Sequence, residues 1–142
     1  MSGVRAAESV SVGDRLEPRE VRLTRADLIR YAGASGDFNV IHWDERAARA
    51  AGLPGVIAHG MLTMGQALQA VVDWAGDPGR VLDYGVRFTR PVVVEYEDGA
   101  TLSIAGTVIA VDPATRRATV ELSVAVAGAA VLSRARATVQ LD

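Results

Sequence analysis

The chain has 142 residues, 49% of them hydrophobic, with fifteen basic and seventeen acidic side chains for a net charge of −2. That length suits a single domain, residues 1–142, with a real core, and the charge gives no case for a nucleic-acid partner. Cysteine is absent and only two histidines are present, which excludes disulfides and thiolate chemistry and leaves no donor set for a structural zinc, so no metal is expected.

The opening stretch MSGVRAAESVSVGD has no apolar segment of the secretory kind. No apolar run in the chain reaches the roughly 20 residues of a membrane span. The expectation is a cytoplasmic protein with no membrane partner. ESVSVGDRL alternates valines before a Gly-Asp turn and reads as a short strand, and EVRL as a second extended piece. Thr24 then opens a helix, because TRAD has the capping-box pattern with Asp27 as the third helical residue. Leu28, Ile29 and Ala32 give it an apolar side, and it should stop near Gly33. A polar stretch, SGDFNVIH, follows from Ser35 to His42. WDERAARAAG reads as a short helix with Asp44 as N-cap, Gly52 as stop and Pro54 just beyond.

After the loop LPGVIAHG comes a long helix within Gly60 to Gly76. Its apolar residues, Met61, Leu62, Met64, Leu68, Val71, Val72 and Trp74, lie nearly all round, with a narrow polar stripe at Gln66, Gln69 and Asp73. That pattern predicts a mostly buried helix, with Gly65 open to close approach by another backbone. GDPG ends it, and everything beyond is β-like: VLDYGVRF, PVVVEY, TLSIAGTVIAV, ATVELSVAV and AVLSRARATVQL. Val120, Leu122, Val124 and Val126 share one face, as do Ala135, Ala137, Val139 and Leu141. DPAT, with Pro113 at its second position, is a type I turn joining the third and fourth of these strands. A long apolar helix followed by antiparallel strands makes the fold class α+β.

The chemistry concentrates in SGDFNVIH. Asp37 and His42 can hold one water between a carboxylate and a neutral imidazole, the equipment of general acid–base catalysis. Asn39 can brace the loop by bonding its backbone. Read alone, the three are as readily turn formers and a loop histidine, since short motifs match by chance. AHGM adds a second element. Gly60 stands where a helix begins and where N–H groups lack intrahelical partners, so its N–H can stabilise an oxyanion and its missing side chain lets a carbonyl come close. His59 reads as a structural residue bonding the loop to its surroundings. All fifteen basic residues are arginine, so lysine Schiff bases and a P-loop lysine are excluded. An acid–base pair beside an oxyanion donor, with no evident nucleophile, metal or nucleotide loop, suits chemistry at the carbon next to a carbonyl.

YAGASGDFNVIHWDERAA resembles the hydratase 2 motif of the MaoC-like (R)-specific enoyl-thioester hydratases. Tyr31, Ser35, Gly36, Asp37, Asn39, Ile41, His42 and Ala48 fit it. Val40 departs where the family carries proline, and Ala34 where a larger aliphatic residue or glycine is usual. GLPGVIAHGMLTMG, VRFTRPV and SVSVGDRL extend the similarity over most of the chain. HWD and WAGDPG bring it near the B subunit of mycobacterial-type (3R)-hydroxyacyl-carrier-protein dehydratases. The resemblance implies a hot-dog fold, in which an antiparallel sheet wraps a long central helix. It implies reversible syn addition of water to trans-2-enoyl thioesters of CoA or acyl carrier protein, in fatty-acid metabolism, with no cofactor. Asp37 and His42 would activate the water and the Gly60 N–H would hold the oxyanion, with Ser35 and Asn39 in support. The face of the long helix and the alanines of the last strand would line an acyl tunnel. A homodimer with joined sheets is implied, or a heterodimer with a related hot-dog subunit. Arg87 and Arg90 are the candidate contacts for an acidic carrier. Two alternatives stand beside this reading: a hot-dog acyl thioesterase, and a non-catalytic acyl-binding subunit.

Overall fold

Five strands form one curved antiparallel path, and its order differs from the chain order. β1 (Arg19–Leu23), β3 (Ala100–Asp112), β4 (Arg117–Val126), β6 (Leu132–Gln140) and β2 (Val81–Phe88) lie side by side in that sequence, and the two-residue β5 (Ala129–Ala130) pairs with β4. The computed structural model describes residues 3–142; residues 1–2, the start of the stretch read as lacking an apolar leader, lie outside them. Three helices complete the fold: α1 (Arg25–Ser35), α2 (Glu45–Ala50) and α3 (Gly60–Ala75). α3 packs on β2, β3, β4 and β6, so the sheet wraps the long helix in the hot-dog arrangement. Among the described residues no helix is long and apolar enough to cross a membrane.

The local signals work as their chemistry requires. The Thr24 hydroxyl accepts the Asp27 N–H, and the Asp27 carboxylate accepts the Thr24 N–H at 2.8 Å. That main-chain bond from Thr24 holds the Asp27 carboxyl below its ordinary range. The box therefore stabilises α1 above the usual carboxylate titration and is lost as pH falls through the lowered value. α1 runs two residues past Gly33 and ends on Gly36, whose φ of 77° supplies the left-handed cap. Asp44 caps α2 by accepting from Arg46 and Ala47. Asp112 accepts the Ala114 N–H in the β3–β4 turn.

The inward face is built by period-two alternation. Val120, Leu122 and Val124 of β4 meet Ala135, Ala137 and Val139 of β6 in one buried cluster. Arg134 interrupts that period with a φ of 48°, at the register shift between β2 and β6. The extra residue is a β-bulge, and it turns Leu132 inward together with Ala135, both buried.

Three expectations need correction. ESVSVGDRL is not a strand: it forms a 3-10 turn at Ala7–Ser9 and then a single bridge, Arg15 to Thr107. Its Val10 and Leu16 are still buried, with Leu16 seated against Gly106. PVVVEY is extended but makes only isolated bridges, Ile57 to Val93 and Glu95 to Gly99. α3 is buried along one side alone, through Thr63, Ala67, Ala70, Val71 and Ala75, while Met61 is 61% exposed and nothing lies near Gly65. The curved sheet covers one face of the helix, and the small side chains Ala67 and Ala70 let it lie close. Tyr84 fastens that contact from β2 by donating to the Met64 carbonyl at 3.0 Å. Burial pushes its hydroxyl up to about 12, so it remains a donor across the neutral range.

Candidate active site

The polar loop between α1 and α2 is pinned at its ends. Arg25 of α1 donates to Glu45 of α2 at 2.6 Å and to the Val94 carbonyl at 2.6 Å. Within the loop, bonds are local. The Ser35 hydroxyl accepts the Asp37 N–H at 3.2 Å, the Asp37 Oδ1 accepts the Asn39 N–H at 3.1 Å, and the Asn39 Oδ1 accepts the Ile41 N–H at 3.3 Å. Asn39 thereby starts a 3-10 turn, Val40–His42, which swings His42 inward. Ser35 and Asn39 thus brace the loop, and both are exposed.

His42 is 7% exposed, and its Nδ1 lies 2.7 Å from the Ile57 carbonyl. A carbonyl can only accept, so Nδ1 carries the hydrogen and the neutral ring offers a lone pair at Nε2. That Nε2 stands 3.9 Å from Oδ2 of Asp37, whose side chain is 52% exposed. The gap is too long for a direct hydrogen bond and suits a bridging water.

His42 and Gly60 line the same cavity of about 310 Å³, whose other walls include Thr63, Phe88, Arg90, Val131 and Leu132. Gly60 is the first residue of α3, and the His59 side chain caps none of the first-turn N–H groups. The N–H groups at a helix start have no intrahelical acceptor, and the dipole behind them favours negative charge. The cavity is mostly apolar in its walls, with His42 and Gly60 both among them.

Ligand atoms of Asp37, His42 and His59 lie within 4.8 Å of one another. Each ring meets a main-chain carbonyl through one nitrogen, His42 Nδ1 on Ile57 and His59 Nε2 on Asp37, and keeps the other nitrogen as an acceptor. Of the two arginines singled out, Arg90 lines the cavity and Arg87, exposed on β2, is absent from its walls. The alanines of the last strand do not line it either. Ala135 and Ala137 are fully buried in the core cluster, and the wall from that part of the chain is Val131 and Leu132, turned inward at the bulge. Phe88, Thr63, Val131 and Leu132 carried no sequence signal for this place. Thr63 adds a buried hydroxyl without a partner among the described residues.

Val40 is open to a direct test. It is the first residue of the 3-10 turn, and Asn39 before it has φ −55° and ψ 128°, the extended backbone that precedes proline. Val40→Pro is therefore expected to stabilise the chain by roughly 0.4–1 kcal/mol through the unfolded state, measured by urea unfolding. A drop in stability would mean that this turn cannot seat proline.

Residues 8–129 match the model of the MaoC like domain family. The chain is 42% identical over 74 residues to 3-hydroxyacyl-thioester dehydratase X of Mycobacterium tuberculosis, covering 52% of this chain and 25% of that protein. The chain spans a quarter or less of the length of the curated relatives it matches. Among solved structures, a MaoC-like dehydratase superposes with a TM-score of 0.96 at 42% identity, over 99% of this chain and 43% of that one. The (R)-hydratase from A. caviae involved in PHA biosynthesis superposes with a TM-score of 0.84 at 25% identity, over 95% of this chain and 99% of that one.

Proposed function

The chain belongs to the MaoC-like domain family, and on that premise we propose that it catalyses reversible hydration of trans-2-enoyl thioesters to (R)-3-hydroxyacyl thioesters. The observation that carries this reading is the 3.9 Å gap between Asp37 Oδ2 and His42 Nε2, beside a cavity that the start of α3 also lines.

A water in that gap donates one hydrogen to the carboxylate and one to the imidazole, which turns an oxygen lone pair toward the cavity. As that oxygen bonds to C3 of the enoyl group, a water proton passes to the pair. The displaced π electrons move onto the thioester oxygen, where the Gly60 N–H receives the charge. A proton from the pair then goes to C2 on the face that the water attacked. The balance is one water added, with no redox change.

Crotonyl-CoA and longer trans-2-enoyl-CoAs, followed by loss of the enone absorbance, test the reading with the protein alone. Release of free thiol without loss of the double bond would instead make it a thioesterase. Loss of neither signal until a related hot-dog chain is added would make it one half of a heterodimer.

Substrate form is set outside the cavity, since CoA and acyl carrier protein share the phosphopantetheine arm. An acidic carrier would meet Arg90, which is exposed where it borders the cavity. Rim charges act mainly on association rate and on its salt dependence. Arg90→Glu is expected to lower kcat/KM for carrier-linked substrate more than for CoA-linked substrate, with the difference shrinking as salt rises. Equal losses on both at every salt concentration would assign Arg90 to CoA or to the fold.

A further inference from the structure

His59 occupies the N-cap position of α3, yet its side chain caps nothing. Helices favour Ser, Thr, Asp or Asn there, because a short side-chain oxygen takes a first-turn N–H. The imidazole of His59 reaches across the chain instead and donates Nε2–H to the Asp37 main-chain carbonyl at 3.1 Å. The same ring lies against His42, with centroids 3.8 Å and planes 24° apart. Tyr31 meets it at 4.7 Å and 63°. One side chain therefore touches both members of the pair.

That contact has no substitute in the loop. Among the described residues, the other hydrogen bonds of residues 36–39 all stay within the segment from Ala32 to Trp43. Among the described residues, the His59 bond alone ties Asp37 to a distant element. It is also an uneconomical way to fill space. His59 is 2% exposed and its Nδ1 has no partner among the described residues. A buried acceptor left unpaired costs stability, a cost that an apolar ring in its place would not carry.

We propose, on the hydration reading above, that His59 is a positioning residue. Its one N–H holds the Asp37 backbone, and its ring face holds the His42 plane, so that Oδ2 and Nε2 stay one water apart. A site of this kind loses rate steeply with small displacements, on the order of a hundredfold for about 1 Å.

His59→Phe keeps a flat ring and removes both the donor and the orphaned acceptor. The expected result is a kcat lower by roughly tenfold to a hundredfold, with KM little changed and the loss out of proportion to any fall in melting temperature. His59→Gln places an amide N–H toward the same carbonyl and should recover most of the lost kcat. Wild-type kcat in His59→Phe overturns the proposal, and so does a fall in kcat that merely follows a fall in melting temperature in both variants. A second readout does not need turnover. The chain has only two histidines, so 15N imidazole spectra of wild type and His59→Phe assign both rings. A His59 fixed as the Nε2–H tautomer supports the proposal, and fast exchange between its tautomers overturns it. A fixed His59 tautomer in a protein that hydrates no enoyl thioester would overturn the hydration reading while leaving the structural tie in place.

Discussion

Asp37→Asn is expected to lower turnover of enoyl thioesters by at least about a hundredfold, and by as much as about ten-thousandfold, the span that a positioned acid–base group contributes. The substitution is nearly isosteric. The carboxamide oxygen can still accept the Asn39 N–H that Oδ1 now takes at 3.1 Å, so the loop keeps its turn. What changes is the atom facing His42. A carboxylate oxygen accepts a proton, whereas an amide nitrogen in its place can only donate. Because the side chain is half exposed, the folding cost should be within about 0.5 kcal/mol. His42→Ala should lower turnover by a similar factor but is the less clean variant. It leaves the Ile57 carbonyl without the donor it has at 2.7 Å and opens space against the His59 ring. A cost of about 1–3 kcal/mol in stability would accompany it. Steady-state kinetics paired with thermal unfolding separates the two effects. A folded Asp37→Asn protein with near-normal hydration would remove Asp37 from the mechanism.

Gly60→Ala is expected to cut kcat/KM by roughly a hundredfold, the lower end of what losing an oxyanion-hole donor costs. A methyl group at Gly60 would meet ring atoms of Phe88 at 3.0, 3.2 and 3.3 Å. That ring is 54% exposed and can swing away, so the fold should accept the change. Alanine also suits a helix better than glycine by up to about 1 kcal/mol. The methyl would instead occupy the space through which a carbonyl oxygen approaches the N–H. The two measurements should therefore part company, with unfolding unchanged or raised and kcat/KM lowered. Undiminished activity in Gly60→Ala would place the thioester oxygen elsewhere in the cavity.

These two variants probe features that were legible to different degrees. Asp37, Asn39 and His42 fall within six residues, and Asn39 turns the chain so that His42 points inward, a short-range effect that a motif can carry. Gly60 was legible because a helix start announces itself by an apolar run after a loop. The distance between these two places was not. They meet because the His42 and His59 rings stack and because Ile57 N–H bonds to the Ile41 carbonyl at 3.2 Å. Neither contact leaves a mark on the local pattern of either segment. The same holds for Phe88 and Leu132, which arrive at the cavity from the ends of paired strands.

The sequence by itself determined what nearest neighbours along the chain can decide. The Thr24–Asp27 box, the Asp44 cap, the turn at Asp112 and the alternation of β3, β4 and β6 are set by hydrogen bonds and side-chain direction over two to four residues. It also determined the hydratase 2 motif and, with it, the family. Tertiary structure decided which valine-rich stretches became strands. ESVSVGDRL and PVVVEY have strand-like composition, but they make only isolated bridges, because a strand needs continuous pairing along a neighbour and not just β-branched residues. It decided that α3, apolar nearly all round, buries one face only, since burial depends on where the sheet curves. It decided that His59 ties Asp37 to α3, because a contact across 22 residues depends on the whole sheet bringing two loops together.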